Sequence, residues 1–287
     1  MSATPAPAAT FSAGWLALRE AADHRARNGA LEAELARHLA GQKVVRIVDL
    51  GAGTGSSLRA LAPRLGPRQH WTLLDHDGAL EGPARAQLAA FAQGWRAEGQ
   101  ALVLALPGRE VTVEFARADL AADPAAPLAH RPQLVTASAF YDLVSAHWCG
   151  RFAAALAGSG VLVHGALTCD GRDSWTPQHP ADAAIAAGFR AHQATDKGFG
   201  PAAGPDAAAI LAAALDQAGY GVSCAESPWR LGPQDGALMA QLAAGTAEAA
   251  RAAGHVDGTT ADDWAQARAG AQACIIGHLD LLAVPKG

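Results

Sequence analysis

No run of lysines and arginines occurs in this chain: its 22 basic residues are scattered and 27 acidic ones leave a formal net charge of −5. Proteins that hold nucleic acid carry a concentrated basic patch, so a polynucleotide substrate is disfavoured. Cysteine is scarce as well. The four residues Cys149, Cys169, Cys224 and Cys274 form no C-x-x-C pair, which argues against a zinc knuckle or disulfide framework and for buried thiols in a reducing cytoplasmic setting. No stretch supplies the roughly 18 uninterrupted apolar residues of a bilayer span, so no membrane partner is expected. Residues 1–10, rich in Ala and Pro, lack the positive start and long apolar stretch of a secretory signal and read as a disordered tail.

What is present is ample core material. Half of the 287 residues are apolar, enough for one large domain over 11–287. Alanine is abundant in stretches such as 207–214, a helix-favouring bias with little functional content. The most informative segment is 47–55, Ile-Val-Asp-Leu-Gly-Ala-Gly-Thr-Gly. Here an apolar strand runs into glycines at 51, 53 and 55, which permit positive φ and remove the Cβ atoms that would hold a ligand off the backbone. A helix from about Ser56 would aim its free N–H groups into the same crevice. In an open α/β sheet, that crevice lies at the carboxyl ends of the strands.

Further acids fall at later strand ends. Trp71 to Leu74 leads into Asp75-His76-Asp77, and Asp75 stands 20 residues beyond Gly55, the separation of a ribose-binding acid. The run from Val111 reaches Ala118-Asp119-Leu120, and a fourth run, Gln133 to Ala137, reaches Ser138-Ala139-Phe140-Tyr141-Asp142. These landmarks together resemble the class I methyltransferases that use S-adenosylmethionine. The resemblance implies that Asp49, Gly51, Ala52, Gly53 and Gly55 hold the amino acid end of that cofactor. Asp75 and His76 would then stand at its ribose, with Asp77 as the alternative acid, Asp119 and Leu120 at its adenine, and Ser138 beside the departing methyl group; S-adenosylhomocysteine would be the product. A dinucleotide turn would need a third glycine where Ser56 stands, which counts against the alternative of an NAD(P)-dependent oxidoreductase. A non-catalytic protein that binds S-adenosylmethionine is a further alternative.

The resemblance also implies an α/β fold: a Rossmann-like, seven-stranded, mostly parallel sheet of order 3-2-1-4-5-7-6 with the last strand antiparallel. Apolar spacing predicts helices over Trp15 to Arg27 and Leu31 to Leu39, and the resemblance implies that 11–40 forms an N-terminal cover over the cofactor. Ala101 to Glu110 suggests an extra strand hairpinned to the third. A fifth strand is expected over Val161 to Thr168, a sixth over Tyr220 to Glu226 and a terminal one over Cys274 to Val284. Residues 170–205 and 228–272 then become lid insertions over the acceptor, too short to bury cores of their own.

Methyl transfer from a sulfonium chiefly requires alignment and exclusion of water, and an ammonium or alcohol acceptor must also lose a proton. The candidates near the fourth strand are Tyr141, Asp142 and His147, with His147 favoured as a base by its ordinary pKa of about 6.5. In the first insertion Arg172, His192 and Lys197 could hold an anion, whereas Asp170, Asp173 and Asp196 favour an amine. Trp148, Trp175, Phe199 and Trp229 could wall the substrate pocket. Asn-Pro-Pro-Tyr, which marks many base and glutamine methyltransferases, is replaced by Ala-Ser-Ala-Phe. The expected partner is a small-molecule methyl acceptor, with no metal and with a homodimer allowed.

Overall fold

The computed structural model describes residues 11–286; the expected tail at 1–10 lies outside them. At its centre β1 (Val45–Leu50) pairs in parallel with β2 (Arg68–Asp75) on one side and β6 (Leu134–Ser138) on the other. Beyond β2 lies β5 (Arg109–Arg117), and beyond β6 lies β7 (Leu162–Thr176), both parallel to their neighbours. Finally β10 (Ala273–Pro285) runs antiparallel between β7 and β8 (Tyr220–Glu226). Counted along the expected strands, this is the order 3-2-1-4-5-7-6.

Three additions make the sheet ten-stranded instead of seven-stranded. The hairpin foreseen before the third strand is β4 (Ala101–Leu106) with β5, and it carries one more strand, β3 (Gly94–Glu98). Every residue of β3 is exposed, so it has no buried alternation for a sequence to display; backbone pairing alone places it. On the far side the three residues of β9 (Trp229–Leu231) pair with the start of β10.

The fifth strand is also longer than its apolar run. β7 continues past Thr168 to Thr176 because the first half of β10 zips onto it, Cys274 opposite Trp175 and Ala273 opposite Thr176. Residues 169–174 look like a loop in sequence because most of their side chains are not buried; cross-strand pairing holds them extended.

Helices cover both faces. On one, α2 (Gly29–His38) and α3 (Ser56–Leu61) bury Leu35 and Leu58 against Ile47 and Trp71. The other face carries α5 (Ala146–Leu156) and α7 (Ala207–Gln217), which bury Phe152 and Leu211 against Val48 and Val135. Ahead of them α1 (Ala13–Ala26) begins at Ser12, whose side chain accepts from the Trp15 N–H, and α2 begins at Asn28, which accepts from Ala30 and Leu31. Between β2 and β3 lies α4 (Glu81–Phe91).

The two insertions share a single core with the sheet and α1. From them α6 (Asp182–Gln193), α8 (Gly236–Ala252) and α9 (Gly258–Ala269) close around Trp175, Trp229, Trp264, Ile185 and Met239. Neither insertion could do so alone; the extension of β7 and β10 supplies a shared floor. Arg268, 1 % exposed, joins the layers by pairing with Asp182 while its guanidinium lies 5.5 Å from the Trp264 ring and 5.8 Å from that of Trp175.

Candidate functional site

The glycine turn follows β1 with positive φ at Gly51, Gly53 and Gly55 (57°, 53° and 80°). Space matters as much as torsion: a Cβ on Gly51 would stand 2.9 Å from Phe140 Cδ2, and one on Gly53 would stand 3.0 Å from Leu16 Cδ1. Gly55 has a different task. It is the N-cap of α3 and packs toward Leu73 and Leu88, away from the cleft.

Asp75, the last residue of β2, ties its own loop to the turn by accepting from Gly53 N–H at 2.8 Å and Asp77 N–H at 2.9 Å. Each oxygen retains lone-pair capacity for a hydroxyl donor. One strand further, Asp119 accepts from the N–H groups of Ala121 and Ala122. Leu120 is fixed from behind, since the buried Trp148 indole donates to its carbonyl at 2.6 Å.

These groups border one cleft of about 580 Å³ at the carboxyl ends of the strands, within the size range of small-molecule sites. Gly51, Ala52, Gly53, Asp75, His76, Asp119, Leu120 and Ser138 all line it. Asp49 does not. It is fully buried below the turn, both carboxylate oxygens lack a hydrogen-bond partner, and burial pushes its pKa up to about 7 despite Ser57 and the charges of Arg27 and Arg59.

Several lining residues carry no sequence signal. Leu16, Arg19 and Asp23 of α1 reach the cleft, so the leading helix forms part of its wall. Arg19 is held by both Asp23 oxygens, at 2.9 and 3.1 Å, and lies over the Trp229 ring. Arg117, at the end of β5, borders the Asp75 end, and its guanidinium occupies the place of a Cβ at Gly78. Phe140 and Phe199 meet edge to face with centroids 5.6 Å apart, and both line the opposite end with Leu143. Ala139, at φ 51°, turns the chain there.

The expected catalytic and substrate residues divide sharply. Lys197 lines the cleft. Tyr141 is a core residue instead, 1 % exposed among Phe140, Trp148 and Phe152, and burial drives its phenol far above the ordinary range. His147 is exposed at the start of α5, because the apolar stripe of that helix turns Trp148 and Cys149 inward. Arg172 is exposed and bound to Asp170 and Glu226, while Trp175 is buried in the insertion core. His192, in the last turn of α6, meets Lys197 from outside the cleft at 3.5 Å. Asp142 is the exception: one carboxylate oxygen is buried without a partner, and burial pushes its pKa up to about 6.

From the second insertion, 228–272, no residue lines the cleft; it supports α1 and α6 as a scaffold and contributes no wall. Among the described residues no group of three or more His, Cys, Asp or Glu could hold a metal ion, and no helix is long and apolar enough to cross a membrane.

Comparison with solved structures places the fold. A cyclopropane-fatty-acyl-phospholipid synthase-like protein from Lactobacillus casei superposes with a TM-score of 0.50 at 16 % identity, over 97 % of this chain and 95 % of that one. A SAM-dependent methyltransferase from Geobacter sulfurreducens, in complex with S-adenosyl-L-homocysteine, gives 0.44 at 15 % identity over 95 % and 98 % of the two chains. YjhP from E. coli gives 0.44 at 17 % identity over 95 % and 99 %. No protein-family model matches the chain, and no curated protein does. The architecture is a Rossmann-like α/β fold, a mostly parallel sheet with helices on both faces.

Proposed function

We propose that this chain transfers a methyl group from S-adenosylmethionine to a small polar acceptor. One observation carries the reading: the positive-φ glycine turn and the acids Asp75 and Asp119, which the sequence places on three separate strands, border a single cleft in the order a nucleoside amino acid requires. Bare backbone at Gly51 and Gly53 admits the amino acid end, Asp75 faces two ribose hydroxyls, and Asp119 with Leu120 meets the adenine. The bound sulfonium supplies an electrophilic methyl group.

The chain's own residues do the rest. Asp49 sits beneath the turn as a carboxyl without a hydrogen-bond donor, and an ammonium above it favours the ionised form. Phe140, Leu143 and Phe199 keep water from the far end of the cleft. Leu16 and Arg19 close it from α1. A cleft covered by a helix and bounded by aromatic rings suits a small acceptor; a polymer would need an open platform.

The test is calorimetry on the purified chain with S-adenosylhomocysteine and, separately, with NADH. Saturable binding of the first and none of the second is expected. Tight NADH binding without affinity for S-adenosylhomocysteine would assign the cleft to a dinucleotide.

A further inference from the structure

At the end of the sheet farthest from β8, β3 pairs with β4 on one side and, among the described residues, with no strand on the other. All five of its residues are exposed. Trp95 is 56 % exposed, more than any other large apolar side chain among the described residues, and an open edge carrying such a side chain is a template for another strand. No residue of 94–98 lines the cleft, so methyl transfer does not account for this edge.

The turn after β3 fixes which of its backbone groups look outward. Glu98 stands opposite Ala101 across the two-residue turn Gly99-Gln100, and such a turn closes on a pair that exchanges both hydrogen bonds. Pairs alternate along an antiparallel ladder, so Gly94, Arg96 and Glu98 bond to β4 while the N–H and C=O groups of Trp95 and Ala97 point away from it. A second copy of the strand can meet those groups. Antiparallel pairing about a two-fold axis at Ala97 sets Ala97 against the partner's Ala97 as a hydrogen-bonded pair. The same register puts Arg96 opposite the partner's Glu98 and, by symmetry, Glu98 opposite the partner's Arg96, at the close positions where opposite charges attract. Arg96 and Glu98 already meet at 2.8 Å within their own strand, so both lie on one face. Trp95 comes to face the partner's Gly99, a residue with nothing within 4 Å of its Cβ position, and the indole covers bare backbone. Other symmetric registers do worse: an axis at Arg96 or at Glu98 opposes like charges, and one at Trp95 sets Arg96 against the partner's Gly94.

We propose that this chain forms a homodimer by joining β3 to the partner's β3, antiparallel, with Ala97 on the axis. The inference is independent of the methyl-transfer reading. Five residues a side make an interface below the standard size of stable complexes, so the dimer dissociates on dilution.

Sedimentation equilibrium on the full chain, from about 5 to about 500 µM, where a contact of this size should exchange, tests the pairing. We expect the average mass to climb from one chain toward two. Arg96→Glu sets like charges across the axis and should weaken association about tenfold, since symmetry applies each loss twice. Adding Glu98→Arg to it restores opposite signs and should return association to within about threefold of the parent. Ala97→Pro removes an outward N–H that β4 does not use, a place where an edge strand tolerates proline, and should leave single chains throughout. Each variant should keep the parent's circular dichroism spectrum, which shows that it folds. A parent that remains one chain at the highest concentration, dimers of Ala97→Pro, or a charge exchange that fails to restore association overturns the proposal.

Discussion

The Asp75 carboxylate accepts the Gly53 N–H at 2.8 Å, a bond across 22 residues that joins the end of β2 to the glycine turn after β1. Whatever enters the cleft meets those two elements as one preorganised unit. Asp75→Ala should weaken S-adenosylhomocysteine by about 2 to 4 kcal/mol, the scale of two charge-assisted hydrogen bonds. Calorimetry reads this directly, and an unchanged affinity would move the ribose contact elsewhere.

Gly51→Ala meets two obstacles, φ 57° and Phe140 Cδ2 at 2.9 Å. Left-handed backbone costs a non-glycine residue about 1 to 2 kcal/mol, and displacing Phe140 adds to it. Gly41, at φ 82° with nothing within 4 Å of its Cβ position, isolates the torsional part. Denaturant titration should therefore show Gly51→Ala losing more stability than Gly41→Ala, and cofactor affinity should fall only in the former.

Asp49 predicts a pH effect on the ligand-free chain. Burial raises its pKa to about 7, so between about pH 4, its unfolded value, and pH 7 the folded state binds the extra proton and stability declines as pH rises. The slope contributed is at most about 1.4 kcal/mol per pH unit. Asp49→Asn should lack it, gaining on the parent from pH 5 to 7 with the gain levelling off above. Paired melting curves measure this; a parent that tracks Asp49→Asn at every pH would mean that Asp49 is ionised when folded.

Trp264 is fully buried, donates to Asp182 and packs on Trp175 with centroids 5.6 Å apart. Trp264→Ala should cost about 3 to 5 kcal/mol yet leave S-adenosylhomocysteine affinity unchanged in the folded fraction, because no residue of 228–272 lines the cleft. A loss of affinity matching the loss of stability would restore that insertion as part of the pocket wall.

The glycine-turn end of the cleft was legible because its lining sits in the chain as contiguous signals. A strand leads into alternate glycines, and acids follow apolar runs, as at Asp75 and Asp119. Strand order came with the family resemblance that those landmarks carry. β3 escaped because an all-exposed strand shows no period, and the far half of β7 because pairing with β10, not burial, extends it. For the proposed acceptor the sequence favoured residues by type, and type does not fix direction: His147 and Arg172 face solvent while Tyr141 and Trp175 are core. Leu16, Arg19 and Asp23 gave no warning, since they reach the cleft only when α1 folds back over the strand ends.

The central claim is best tested by a crystal structure of the chain grown with S-adenosylhomocysteine. The account predicts the homocysteine portion over Gly51 and Gly53, the ribose hydroxyls on Asp75, the adenine against Asp119 and Leu120, and the sulfur facing Phe140. Density for that molecule elsewhere, or a cleft holding only solvent at saturating concentration, would contradict it.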